Sequence, residues 1–124
     1  MSKKNIEKYI PKAIEVLNNT FKNGTIPSSY NGYISSFGAS VIQSGLLPTI
    51  ALFENQNANT QEKKELLTNL ILQILDNTKT ENDTLLEYVL QNGKDSLKQQ
   101  ILDISIAIKL SIRTFKLDKG QKDG

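Results

Sequence analysis

The chain has 124 residues, the length of one ordinary domain, and its 15 basic and 13 acidic side chains leave a formal charge of only +2. Hydrophobic residues make up 38% of the sequence, so it can form a core and lies outside the disordered and collagen-like classes. The sequence also contains no Cys and no His. Disulfides, thiolate zinc sites, serine or cysteine triads and imidazole general bases are therefore excluded.

Only carboxylate, lysine or tyrosine chemistry remains for catalysis. An enzyme that uses two carboxylates and Mg²⁺ is one hypothesis, and it requires acids that converge in a pocket. A role in binding or assembly is favoured over catalysis. We therefore expect no catalytic residue, no cofactor and no metal site.

The amino-terminal segment does not resemble a targeting signal. Charged residues interrupt its apolar residues at Glu7, Lys8, Lys12 and Glu15. No apolar stretch elsewhere approaches the roughly 20 residues that span a bilayer. These features predict a soluble cytoplasmic protein without membrane contacts.

The first predicted helix covers residues 6–21, where apolar side chains recur at helical spacing. Pro11 lies either in its first turn or at a kink, because proline lacks an N–H. The Asn23-Gly24 pair is typical of a helix end. Residues 24–32 are rich in turn formers and predict a connecting loop.

Two further helices are predicted before the middle of the chain. Apolar residues over 33–42 follow helical spacing, with small residues between them that allow close approach of another element. Gly45 is expected to end this helix. A short apolar helix over 46–53 follows, with Pro48 near its start, which predicts a tight helical corner.

The next two predicted helices are separated by polar segments. Asn59 or Thr60 is a suitable N-cap for a helix whose broad apolar face covers residues 66–75. A shorter helix is predicted over 85–90. The acids of the polar segment between them lie beside Lys79; we interpret Asp83 there as a helix cap rather than a metal ligand.

The last apolar segment is ambiguous by itself. Apolar and polar residues alternate over 102–112, as in a strand, whereas steps of three and four from Leu97 to Phe115 indicate a helix. A lone strand has no partner elsewhere in the prediction, so helix is favoured. The fold class is therefore predicted as all-α, a compact single-domain bundle of about five to six helices over residues 1–117. Residues 118–124 are predicted to form a disordered tail.

The small net charge conceals a segregation along the chain. Residues 1–23 carry five Lys and two Glu (+3), residues 24–93 three Lys and seven acids (−4), and residues 94–124 seven bases and four Asp (+3). Segregation of this kind creates a local potential despite a small net charge. Both basic ends are therefore candidates for a polyanion-binding surface.

Two basic stripes are predicted as RNA-binding residues. On a final helix that continues past residue 112, four cations share one narrow sector with Leu102 and Ser105 between them. On the first helix, three lysines recur at steps of four if the helix continues through Pro11. The two sets are Lys98, Lys109, Arg113 and Lys116, and Lys4, Lys8 and Lys12. Such stripes suit a phosphate backbone, although aligned surface lysines also serve solubility alone.

Two tyrosines are candidates for contact with bases. Tyr30 and Tyr33 flank Asn31-Gly32 and are able to stack on nucleobases. The commoner arrangement buries the ring against a helix and leaves the hydroxyl in water. Both alternatives are open from the sequence.

One block of sequence resembles a known family. The segment YISSFGASVIQSGLLPTIALF, residues 33–53, contains S-F-G-A, then Q-S-G-L-L, then a short apolar helix ending in Phe53. In these features it is similar to the small-subunit family, counted as the fifth subunit, of the Cmr complex. This is the RAMP-module effector of type III-B CRISPR antiviral defence.

The resemblance implies a compact, all-helical subunit without catalytic activity. Several copies are expected to stack beside larger RAMP subunits that hold the guide RNA, and to help line the channel in which target RNA pairs with it. Other Cmr subunits, copies of this chain, and guide and target RNA are the implied partners. The alternative is a purely structural adaptor that contacts only protein.

Overall fold

The computed structural model describes residues 3–55, 64–93 and 96–118. Six helices contain most of these residues, which confirms the predicted all-α bundle. The elements in chain order are α1 (Lys3–Thr20), β1 (Thr25–Pro27), α2 (Ser29–Ser44), α3 (Leu46–Phe53), α4 (Lys64–Leu75), α5 (Leu85–Gln91), α6 (Leu97–Ile112) and β2 (Lys116–Asp118). The N-caps predicted at Asn59 and Thr60 lie outside the described residues.

Two short strands correct the prediction of a loop over residues 24–32. β1 lies within that segment and pairs in parallel with β2, so that Thr25 is opposite Lys116 and Pro27 is opposite Asp118. Each strand has three residues, too few for an alternating pattern to be recognised. Because β1 follows α1 and β2 follows α6, the pairing holds the carboxyl ends of these helices together. β2 includes Asp118, the first residue of the predicted tail, whereas residues 119–124 of that prediction lie outside the described residues.

Helix α6 is the centre of the bundle. Ile101, Ile104 and Ile108 are fully buried, and the helix packs against α1, α2 and α4. The apolar residues that complete the alternation lie at the edge of the core, since Leu102 and Ile106 are half-buried and Leu110 is 39% exposed. The helical prediction for this segment is confirmed as far as Ile112.

The corner between α2 and α3 forms as predicted at Gly45. This residue has φ +99° and ψ 164°, and its N–H donates to the carbonyl of Val41 at 3.0 Å. That region of backbone space is accessible almost only to glycine. Phe37 and Phe53 then meet edge to face across the corner, with ring centroids 5.2 Å apart.

A buried asparagine holds the loop between α4 and α5. The Asn69 side chain is 7% exposed, and its Nδ2 donates to the carbonyls of Thr80 at 3.0 Å and Asp83 at 2.8 Å. Its Oδ1 accepts from Gln73 Nε2 at 2.7 Å. All the polar atoms of this side chain are thus paired, and the loop has a fixed position over α4.

Candidate nucleic-acid interface

Three of the predicted RNA-binding cations lie at the carboxyl end of α6. Lys109 is half-buried in its last turn, Arg113 is the exposed C-cap residue, and Lys116 is exposed on β2. The helix ends at Ile112, so the prediction that Lys116 continues the same helical sector is wrong. The chain turns over residues 113–115, and strand pairing decides where Lys116 lies.

The fourth cation of that set is separated from the others. Lys98 is exposed near the start of α6, about 16 Å along the helix axis from Lys109. Between them, Leu102 is half-buried and Ser105 is buried, with Ser105 Oγ donating to the Leu102 carbonyl at 2.7 Å. A Cβ on Gly38 of α2 would lie 3.7 Å from Ser105 Oγ. Helix α2 therefore interrupts the predicted stripe.

The set on α1 lies on one continuous helix, because α1 contains Pro11. Lys4 and Lys8 are exposed, and Lys8 Nζ is 5.2 Å from the ring centroid of Tyr9. Lys12 is half-buried, with its Nζ 3.7 Å from Glu15 Oε1. Lys12 is thus partly neutralised, although a surface pair of this kind contributes little to stability.

The cations on α6 keep their charge available. Among the side chains that the structure describes, no carboxylate lies within 4.0 Å of Lys98, Lys109 or Arg113. Lys109 and Arg113 also lie where cations interact favourably with the negative end of a helix dipole. This pairing with the dipole is a structural role that requires no RNA.

The sheet brings another lysine towards this end of α6. Lys22 is exposed just after α1, three residues before Thr25, which lies opposite Lys116. Sequence reasoning missed Lys22 as a candidate because its position depends on the pairing of β1 with β2. The basic surface at this end, formed by Lys22, Lys109, Arg113 and Lys116, is called the carboxyl-end basic surface below.

An apolar groove lies between α2 and α6. Gly38 and Ile42 line one side and Leu102 and Ile106 the other, with Lys98 also lining it, around a volume of about 400 Å³. Ile42 is 70% exposed. A groove of this composition suits an apolar protein surface better than a phosphate backbone.

The tyrosines make packing contacts. Tyr30 is 3% exposed, with its ring centroid 5.8 Å from that of Phe21 and 5.6 Å from that of Tyr33. Tyr33 is half-buried, and Lys64 Nζ lies 5.3 Å from its ring centroid. The stacking alternative is therefore wrong for Tyr30, whose ring belongs to the core.

The acids between α4 and α5 form turns. Asp76 Oδ1 accepts from the N–H and hydroxyl of Thr78, and these bonds lower the pKa of Asp76. Asp83 Oδ2 accepts from the N–H of Thr80 at 2.8 Å. The cap of α5 is Thr84, not Asp83 as predicted. In the described ranges, no group of three acids is arranged to hold a metal ion.

One carboxylate joins α3 to α5. Glu54, the C-cap of α3, accepts the Leu86 N–H at 3.3 Å through Oε2. Burial raises the pKa of Glu54, and the hydrogen bonds that the carboxylate accepts only partly oppose this effect. Its contacts indicate a structural role.

Comparison with known proteins agrees with the residues quoted above. In the described part of the chain, no helix is long and apolar enough to cross a membrane. No curated protein sequence and no solved structure matches the chain. The family model described as CRISPR-associated protein (Cas_Cmr5) matches residues 5–105, which include all but the first two residues of α1, all of α2 to α5 and more than half of α6. The chain therefore belongs to the Cmr5 family of CRISPR-associated proteins, the small-subunit family of the Cmr complex.

Proposed function

We propose that this chain is a non-catalytic small subunit that lies along the RAMP backbone of a Cmr effector and helps line its RNA channel in the cytoplasm. Membership of the Cmr5 family supports a position among other Cmr subunits. The charge at the end of α6 supports contact with RNA. The role in antiviral defence is that of the complex as a whole.

The observation that carries the RNA contact is the carboxyl-end basic surface. Arg113 and Lys116 are exposed there, and Lys109 precedes Arg113 by one helical turn. Cations spaced in this way contact successive phosphates without reading bases. Lys98 and the α1 lysines are separate contributors, with Lys12 the weakest because of its pair with Glu15.

A second candidate function is that of an adaptor with only protein contacts. It is favoured by the groove between α2 and α6 and by the exposure of Leu52 (57%) and Leu90 (64%). Apolar side chains exposed to this extent are typical of docking surfaces when they are contiguous. In this alternative, the cations serve solubility or pair with acidic subunits.

The test is RNA affinity of a reconstituted Cmr complex that carries Lys109→Glu, Arg113→Glu and Lys116→Glu together. The RNA-channel proposal expects weaker binding and a salt dependence, d log K/d log[salt], reduced in magnitude by about 2, because three phosphate contacts are lost. Complex assembly is measured in parallel by size-exclusion chromatography. Unchanged affinity and slope in an assembled complex would reject the channel role.

The matched control is the triple reversal Lys4→Glu, Lys8→Glu and Lys12→Glu, which changes the net charge by the same amount. We expect a smaller effect, since Lys12 already has a carboxylate partner. Equal losses from both triples would mean that total charge, rather than the carboxyl-end basic surface, controls affinity. Failure of the first triple to assemble, with normal RNA affinity in any complex that forms, would favour the adaptor.

A further inference from the structure

A polar groove lies beside the carboxyl-end basic surface, between the end of α1, α4 and the loop before α5. Its volume is about 580 Å³. Sites for small ligands typically have about 300–1,000 Å³, so this groove has room for one nucleotide. The loop that forms one wall is held in place by Asn69, so the groove is formed before any ligand binds.

The groove is lined by side-chain amides that are available for hydrogen bonds. Asn19 in the last turn of α1 and Asn82 in the loop are exposed, and in the part of the chain that the structure describes their amides have no hydrogen-bond partner. Gln73 of α4 uses Nε2 to donate to Asn69. An amide offers both a donor and an acceptor, which is the pattern that the edge of a nucleobase requires.

Two lysines line the same groove. Lys22 is exposed beyond the end of α1, and Lys79 is half-buried in the loop, with its Nζ 5.9 Å from the ring centroid of Tyr88. No described carboxylate lies within 4.0 Å of either ammonium group. Glu81 is the acid of the lining; it disfavours a ligand that is only an anion, but its oxygens accept hydrogen bonds from exocyclic amines.

We propose that this groove binds one unpaired nucleotide of single-stranded RNA, with the phosphate at Lys22 and Lys79 and the base edge against Asn19 and Asn82. The proposal rests on the RNA-facing role above and extends it to a base-contacting site. Lys22 belongs to both surfaces and therefore links the groove to the carboxyl-end basic surface. A nucleotide uses both features of the groove, because its phosphate pairs with the lysines and its base edge hydrogen-bonds to the amides.

The experiment uses the full-length, ¹⁵N-labelled protein titrated with an RNA of six adenosines, and with pyrophosphate as a probe that has phosphate but no base. We expect the RNA to shift the side-chain amide signals of Asn19, Asn82 and Gln73. The double variant Asn19→Ala, Asn82→Ala keeps the charge and is expected to bind the RNA at least about fivefold more weakly. Both positions are exposed, and an unchanged melting temperature confirms that the variant folds.

The charge variant Lys22→Ala, Lys79→Ala is expected to weaken binding of both probes, whereas the control Lys3→Ala, at an exposed lysine at the opposite end of α1, leaves the RNA-induced shifts of the groove amides unchanged. Equal RNA affinity of wild type and the Asn double variant would overturn the proposal. So would pyrophosphate shifts that match those of RNA, since they would identify an anion site only. The two proposals are distinguishable. If the triple reversal on α6 and β2 lowers the RNA affinity of the Cmr complex but the Asn double variant does not lower RNA affinity, the groove proposal is rejected and the channel function is retained.

Discussion

Asn69→Ala tests whether one buried amide holds the loop between α4 and α5. The side chain is 7% exposed and makes two hydrogen bonds to loop carbonyls and one to Gln73. Each bond contributes about 1 kcal/mol net, but the carbonyls of Thr80 and Asp83 regain water once the amide is removed. We therefore expect the free energy of unfolding to fall by about 2 kcal/mol.

The assay is urea unfolding followed by helical circular dichroism, in which this loss moves the midpoint by roughly 1 M. Asn82→Ala is the matched control, because its exposed amide has no hydrogen-bond partner among the described residues. Asn69→Asp keeps the shape but places carboxylate oxygens against two carbonyls, so it is expected to cost at least as much as alanine. A stability of Asn69→Ala within 0.5 kcal/mol of Asn82→Ala would refute the assignment of Asn69 as the residue that holds the loop.

Three further predictions concern single residues outside the basic surfaces. Gly45→Ala is expected to destabilise by about 1–3 kcal/mol, since φ +99° and ψ 164° are strained for alanine; unchanged thermal unfolding would contradict it. Gly38→Ala is expected to stabilise the fold by about 0.5–1 kcal/mol, because helix propensity improves and the new methyl would make ordinary contact with Ser105 Oγ at 3.7 Å. A lower melting temperature would show that the space between α2 and α6 does not accommodate the methyl group. Since burial raises the pKa of Glu54 in the folded state, that state binds more protons just above pH 4.5, so wild-type stability should fall relative to Glu54→Gln as pH rises through this window; parallel stability curves from pH 4 to 7 would rule this out.

Local patterns predicted the helices well because their spacing is itself a local property. The final segment is an exception, because its apolar residues satisfy alternation as well as steps of three and four. It was assigned correctly to a helix only because a lone strand had no partner elsewhere in the prediction. The block around Gly45 predicted its corner for a similar reason, because a glycine between two apolar helical runs is a strong boundary signal. By contrast, three-residue strands leave no periodic trace, so β1 and β2 were absent from the prediction.

The candidate basic surface was only partly predictable, and Ser105 shows why. Spacing on an ideal helix placed it between cations, yet α2 packs over it and leaves it buried. Lys116 was placed in the same helical sector as Lys109 and Arg113, but α6 ends before it and strand pairing decides its position. No sequence pattern predicted Lys22 or Asn19 as site residues, because the residues around them come from α4, the loop before α5 and β2.

Composition alone established that this chain has no imidazole or thiol chemistry, and the spacing of its apolar residues established a helical bundle with basic segments at both ends. These are properties that each residue carries independently of its neighbours in space. Only tertiary structure decided which cations lie together, because the pairing of Thr25 with Lys116 and the packing of Gly38 near Ser105 join residues far apart in sequence. Residue types thus determine which chemistry is available to this protein, whereas long-range packing determines which side chains share a surface.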